Sequence, residues 1–510
     1  MKRTTHLLCF FFLASAAAAA PQDGSVPATA LGIARTSSAE VMQRPLALTG
    51  AAGKLHQKVS TRSPEAQAYY DQGLAYLHSY VWVEAARSFH EALRRDPDLA
   101  MAHLGLARAC IGATAYQDAF DHLRKASQLA AEGKTTAVEA KWIELGEQQL
   151  EALFAAPQER TRKQTAYKRA ADELIVMDSE NPHAWVLRGN AEEADPAAGR
   201  GQGGGVGAVA YYEAALKRDP DHFGAHHYLV HSYENLGLYE KSAEHAGRYA
   251  DAVPGVAHAQ HMYGHVLPRL GRWEKALEQF QKADRLHREY FAAGVAPVEE
   301  WHHGHNLQVM GAVELRLRHD SRAEALFEEA FYLKVRSVRD GRFTDPWLLY
   351  LLLRGRYQET LEAAAEAEER PLALARLIGA VRAAEAHLAL GQMDQARAAQ
   401  ERAGRAFEDF RRETDNPVYI SLQRRHEQGL LEPLKAQFAL LGGRPEEGER
   451  SLIALADRYA AGTTLDGWVT GLFHLEQLVG VAERLNRPQL AAALLDRIRQ
   501  IDSQHPLAPQ

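Results

Sequence analysis

GRWEKALEQFQKAD, residues Gly271 to Asp284, is the stretch that decides the fold. Gly271 marks a turn. Behind Trp273, the residues Ala276, Phe280 and Ala283 recur at three- and four-residue steps, so they share one helix face. Small side chains at Ala276 and Ala283 let a second helix come close, and Phe280 fills the space between them. The same set returns along the chain. Gly73, Ala85, Phe89, Ala92 and Pro97 make one copy, and Ala107, Tyr116, Ala119, Leu123 and Ala126 another. Trp185, Gly189, Ala208, Tyr212, Ala215 and Pro220 make a third, and Gly391, Met393, Ala396 and Ala403 repeat it late in the chain.

Laid over a 34-residue unit, these residues fall at positions 8, 20, 24, 27 and 32, the packing positions of tetratricopeptide repeats (TPR). The expectation is an all-α, right-handed TPR-type solenoid of about ten helix pairs. After Cys9 in the leader only Cys110 remains, so no internal disulfide is expected. Cys110 takes a core slot of its repeat and reads as buried filler.

The first twenty residues read as an export signal. Lys2 and Arg3 supply the positive start, Leu7 to Leu13 an apolar run too short to span a bilayer, and Ala14 to Ala20 small residues for a peptidase. Residues 21–60, rich in Ala, Pro, Ser and Thr, read as a flexible lead. Three blocks of repeats follow: 61–180, a His-rich 181–340, and a degenerate 341–510. No later stretch has the length and apolarity of a transmembrane helix. The formal net charge is −7, and no basic stripe interleaves with aromatics, so nucleic acid is not an expected partner. The Gly-rich insert ADPAAGRGQGGGVG, 194–207, lacks a preceding strand and a Gly-Lys-Ser/Thr ending, so it is not a phosphate loop. It reads as a loop or as a lid over the neighbouring groove.

Histidine carries the functional signal. The chain holds 24, of which half lie between His222 and His305. In a TPR superhelix the first helix of each repeat lines the concave side. Register from Gly237 and Tyr239 puts His227, His231 and Glu234 on that stripe. Register from Gly271 and Trp273 puts His258, His261 and His265 there. The next repeat adds His305 and Gln308, with His302 one turn earlier, and the preceding one adds His183, Asn190 and Glu193. Imidazoles four residues apart on a helix chelate one ion, and a facing helix completes the shell. The candidate ligands are therefore His227, His231, Glu234, His261, His265 and His305. His258, His302, His183, Glu193 and Arg200 are possible additions. Imidazole with carboxylate suits Zn, Fe, Cu or Ni over Ca or Mg. The bland alternative is a polar peptide-binding surface without metal. His226 takes a core slot, His222, His245 and His287 read as solvated turn or outer-helix residues, and His303 fits either. Ser232, beside His231, points elsewhere on its helix, and Glu299–Glu300 read as a solvated acidic pair.

The segments GAHHYLVHSYENLG, PGVAHAQHMYGHVLPRLGRW and EWHHGHNL, together with the entry VSTRSPEAQAYYDQGLAYLHSY and the Gly-Arg-Gly-Gln-Gly insert, resemble a group of bacterial TPR proteins, many with export signals. The resemblance runs from about Val59 to Gly355 and implies a TPR fold without an established activity. Some of those proteins have Asn-His where this chain has Val81-Trp82, and Trp where it has Leu104, which weakens any role carried over to the first two repeats.

Two functions are compatible with this reading. The first is a periplasmic or secreted solenoid that grips a peptide or protein partner in its concave groove, with the His/Glu patch holding a transition metal. The alternative is a metal-dependent hydrolase or oxygenase under the Gly-rich loop, with Glu234 as general base and Arg200 meeting an anionic substrate.

Overall fold

A computed structural model describes residues 35–192, 206–415, 419–461 and 467–507. The expected signal, Glu193, Arg200 and most of the Gly-rich insert lie outside these residues. Among the described residues every regular element is helical. The helices follow one another as antiparallel pairs: Pro64–His78 with Trp82–Arg95, Ala100–Gly112 with Tyr116–Ala131, and Ala137–Leu153 with Pro157–Met177. The central pairs are Pro182–Asn190 with Val206–Arg218, Phe223–Asn235 with Tyr239–Ala252, Ala257–Val266 with Trp273–Ala292, and Trp301–Arg316 with Asp320–Tyr332. Shorter and more irregular pairs continue to Ile501.

The repeat register holds at atomic level. A Cβ placed on Gly73 would lie 2.7 Å from the Phe89 ring, one on Gly264 2.9 Å from Phe280, and one on Gly311 2.7 Å from Phe327. Each pair is glycine on the first helix against a ring sixteen residues on, which is the predicted contact of positions 8 and 24. Ala85, Ala276 and Ala283 are fully buried at the remaining close-approach positions. Cys110 is buried, as its slot requires.

The inner face is not an open groove. The first repeat returns to touch the middle of the solenoid: the His78 carbonyl accepts the Nδ1–H of His227 at 2.6 Å, across 149 residues of sequence. Tyr290 donates to Glu84 in the same closure. The described part of the lead, from Arg35 to Ser60, expected to be flexible, packs into the gap. Val41, Met42, Ala52, Leu55 and Val59 are buried. Ser37 Oγ donates to the Glu299 carbonyl at 2.8 Å, and Ser60 donates through backbone N–H to Glu139 at 2.7 Å. Gly53, at φ +81°, passes so close to Val253 that a Cβ would lie 2.4 Å from it, a backbone approach that only glycine allows. Composition misled here because small and polar residues suit an extended segment that satisfies its backbone on neighbouring side chains as well as they suit a free one.

Apolar burial falls into three connected bodies. One runs from Val41 to Val295, a second from Leu267 to Phe473, and a third from Ala436 to Ile498. Trp468 joins the second body to the histidine region, with its ring 5.7 Å from His265. Among the described residues no helix is long and apolar enough to cross a membrane.

Candidate metal centre

Phe223–Asn235, Ala257–Val266 and Trp301–Arg316 are the first helices of three successive repeats, and they face the closed interior side by side. They carry two groups of three imidazoles, His227/His231/His258 and His261/His265/His305, each with one nitrogen per ring within 4.8 Å of the others. All are buried except His305, which is half-buried.

In the first group, His227 Nε2 lies 3.1 Å from His231 Nε2 and 3.0 Å from His258 Nε2. Three nitrogens bound to one ion at about 2.0–2.1 Å sit about 2.9–3.4 Å apart for bond angles between right-angled and tetrahedral. The two separations from His227 fall within that range, and the third nitrogen lies within 4.8 Å of both. Hydrogen bonds at the far side of His227 and His258 explain their orientation, whereas His231 Nδ1 is buried without a partner. His227 Nδ1 faces the His78 carbonyl, which only accepts, so Nδ1 carries the proton and Nε2 presents a lone pair. His258 Nδ1 lies 2.8 Å from His302 Nε2.

The second group is oriented the same way. His261 Nδ1 lies 3.0 Å from Asn306 Oδ1, and the Asn306 amide is itself fixed by donating to the Phe280 carbonyl at 3.1 Å. His265 Nδ1 lies 3.0 Å from Glu234 Oε1. An amide oxygen and a carboxylate each require Nδ1–H, so both Nε2 lone pairs turn inward. Histidine ligands characteristically donate the other ring N–H to a carbonyl or carboxylate in this manner.

Burial lowers the basicity of these rings. It pushes His227 down to about 4 and holds His231, His258 and His261 well below the usual imidazole range, with neighbouring imidazoles adding to the effect. Neutral rings with inward lone pairs are the form a transition metal takes up.

The central repeats thus bring together His227, His231, His261, His265 and His305, and His258 joins them. Glu234, expected among the ligands, instead steers His265. His302 sits between the two groups, its ring 4.5 Å from His258 and 4.3 Å from His261. Gln308 is buried nearby. Asn190 accepts from Tyr212 at 2.7 Å, away from the patch.

His183 belongs to a third group, with His78 and His222. This one needs no ion. His222 Nδ1 accepts the Ala225 backbone N–H at 3.0 Å as a helix cap, so its proton is on Nε2, which donates to His183 Nδ1 at 3.0 Å. His183 Nε2 then donates to the His56 carbonyl at 3.3 Å. The His222 and His183 protons each have an acceptor, and a metal at His222 Nε2 would break the cap.

The expectation that His222, His245 and His287 are solvated is corrected. His222 and His287 are buried, and His245 is half-buried with Nδ1 2.7 Å from His226 Nδ1. Closure covers the turn that holds His222, and the long helix Trp273–Ala292 packs His287 against His302 and His303. His303 is buried, and so is Glu299, one of the pair read as solvated. His226 is buried, as its slot predicts. Sequence reasoning passed over Tyr80, whose ring lies 4.6 Å from His227 and 5.2 Å from His258. Its only signal was an aromatic residue at the turn where later repeats have Gly237, Gly271 or Gly355.

No family model and no curated protein matches the sequence. Solved structures of similar helical arrangement include a human IFIT1 dimer with PPP-AAAA (15% identity, 67% of this chain and 72% of that one, TM-score 0.41). Yeast Tom70 matches at 13% identity over 84% of this chain and 92% of that one, TM-score 0.39. YrrB, a TPR protein with an unusual peptide-binding site, matches at 15% identity over 40% and 96%, TM-score 0.27. These likenesses concern helix arrangement and carry no argument about ligands.

Proposed function

We propose that this chain is an exported TPR-type metalloprotein that holds two transition-metal ions inside its closed solenoid, one at His227/His231/His258 and one at His261/His265/His305. The observation that carries the reading is the paired tri-imidazole geometry, with outer nitrogens tied to a carbonyl, an amide oxygen and a carboxylate so that lone pairs converge. All-nitrogen donor sets suit Zn, Cu, Fe or Ni. In this reading the remaining solenoid surface takes a peptide or protein partner, and the leader at residues 1–20 directs the chain out of the cytoplasm. The His-rich segments shared with the bacterial TPR group are those that build the two sites.

One observation favours a metal-dependent hydrolase or oxygenase as a second reading. Each group supplies three imidazoles, the number found in open catalytic zinc sites, where structural sites use four protein ligands. Glu234 Oε2, buried beside His265 and without a hydrogen-bond partner, would then be the candidate general base.

Metal analysis of protein purified without a His tag tests the proposal. Two ions per chain are expected, and His231→Ala with His265→Ala should remove both. A well-folded chain that takes up no Zn, Cu, Fe or Ni would overturn it.

A further inference from the structure

A second interior feature lies beyond Tyr80 from the metal sites. The first helices of the first four repeats, Pro64–His78, Ala100–Gly112, Ala137–Leu153 and Pro182–Asn190, surround a cavity of about 70 Å³. At roughly 10–15 Å³ for each water-sized position, that is room for about five heavy atoms. Its walls include Gln57, Tyr167 and Asn190, and no Asp or Glu is among the lining residues.

Arg108 reaches into this cavity from the concave side of its helix. Its guanidinium carbon lies 5.1 Å from the Trp142 ring centroid, and no carboxylate pairs with it among the described residues. Its Nη2 is shut off from solvent and has no hydrogen-bond partner. Three further nitrogens on the wall are in the same condition: Trp82 Nε1, Trp142 Nε1 and His78 Nε2, on side chains that are all more than nine-tenths buried. An indole N–H only donates, and so does a guanidinium. Arg108 is half-buried overall, but its shut-off Nη2 and each orphaned indole N–H carry a desolvation cost. Arg382, by contrast, is buried between Asp345 and Glu385. The cavity around Arg108 therefore has a surplus of one positive charge and several donors, in a space shaped for a few atoms.

We propose that this cavity is a binding site for a compact oxyanion, a carboxylate- or phosphate-class group of about four to six heavy atoms, held by the Arg108 guanidinium and by the indole N–H groups of Trp82 and Trp142. The anion neutralises the guanidinium and accepts from donors that nothing else satisfies. Arg offers a planar fork to two oxygens at once, which suits either class. The site stands apart from the metal proposal, since none of these residues belongs to the two imidazole groups.

The test is calorimetric titration of the full chain with inorganic phosphate, sulfate, acetate and bicarbonate in turn, at ionic strength fixed with chloride, alongside tryptophan fluorescence. One saturable site is expected for at least one of these probes, with a fluorescence change as Trp82 and Trp142 gain acceptors. Phosphate or sulfate binding alone identifies a tetrahedral ligand, and acetate or bicarbonate binding alone a carboxylate. Arg108→Met should weaken binding at least a hundredfold. Trp142→Phe keeps the ring and should weaken it several-fold, which carries the test should Arg108→Met fold poorly. Because these anions also ligate metals, the titration is repeated on chain carrying His231→Ala and His265→Ala, where binding should persist. No saturable binding by any probe, or unchanged affinity in Trp142→Phe and Arg108→Met, would overturn the proposal.

Discussion

The Tyr80 ring lies edge-on to His227 with centroids 4.6 Å apart, and Tyr80 reaches that position from a backbone at φ +58°. Some later repeats place glycine at the same turn, with Gly237 at +71° and Gly271 at +67°, while Thr114 and Arg318 also take positive φ there. A left-handed backbone costs a non-glycine residue about 1–2 kcal/mol. Strain of this kind persists where the surroundings fix it, and here it sets an aromatic roof on the first imidazole group. Tyr80→Gly relieves the strain but empties a buried ring site, a loss of about 3–5 kcal/mol for large aromatics. The cavity term wins. Denaturant unfolding should show a net loss of roughly 1–4 kcal/mol, and metal affinity at the first site should fall. Equal or greater stability in Tyr80→Gly would mean that the ring packs on nothing of consequence.

Glu234 and Asn306 should act on the second site alone. Each fixes one Nδ1–H of that group, and removing such a partner typically costs 10–100-fold in metal affinity. Glu234→Ala should weaken one of the two bound ions by about that factor and leave the other unchanged. Competitive titration with a metal chelator separates the two. Loss of both ions together would show that the sites are one.

The metal-free chain should be acid-labile. His222 and His227 titrate in the fold at about 4, whereas an unfolded histidine titrates near 6.5. Above pH 6.5 both states are neutral and these groups contribute no pH dependence. Between about 6.5 and 4 the unfolded chain takes up protons that the folded chain refuses, so stability falls with pH. Each such histidine removes about a factor of ten in the folding constant per pH unit. Bound metal sharpens the effect, because protons compete for the same nitrogens. Melting curves at pH 7.5 and 5, with and without chelator, are the check. Chelator should lower the melting temperature at pH 7.5 and do little at pH 5.

Ala276→Phe should overpack a helix pair. Ala276 is fully buried on the helix that also presents Phe280 to Gly264. Added volume there costs about 1–3 kcal/mol. Gly264 lies between His261 and His265, so displacement of the helix pair should also weaken the second metal site. A neutral Ala276→Phe would contradict the repeat register.

Unfolding should proceed in few steps. An open TPR stack loses repeats gradually, because each touches only its neighbours. Here the lead and first repeat are tied to residues as distant as Glu299, so the body from Val41 to Val295 should unfold as one unit. Hydrogen exchange should show matched protection in Pro64–His78 and Phe223–Asn235, and lower protection in the body from Ala436 to Ile498. Protection that decays evenly along the repeats would rule out the closure as a stabilising feature.

The repeat fold was legible because it is written in local spacing: Gly264 to Phe280 and Gly311 to Phe327 are sixteen residues apart wherever they fall. The imidazole groups were legible for the same reason, since His227/His231 and His261/His265 are each one helical turn apart. What spacing does not encode is closure. Nothing near His78 in sequence announces that its carbonyl will orient His227, or that residues 35–60 will cover the turn at His222. Burial by distant chain turned residues read as solvated, His222, His287 and Glu299, into interior ones, and it turned Glu234 from an expected ligand into a support for His265.

The bond from His227 to the His78 carbonyl also orders events in time. The ring's partner is made 149 residues earlier, and the last imidazole of the second group, His305, later still. A chain delivered from its N-terminus therefore exposes the first repeat, with Tyr80 and His78 in place, long before there is anything for them to cover. The first group is complete under Tyr80 once His258 is in place, and the second only once His305 has joined it. Shortening the chain before His305 should leave the early repeats helical and the first group intact, and the interior without its second site.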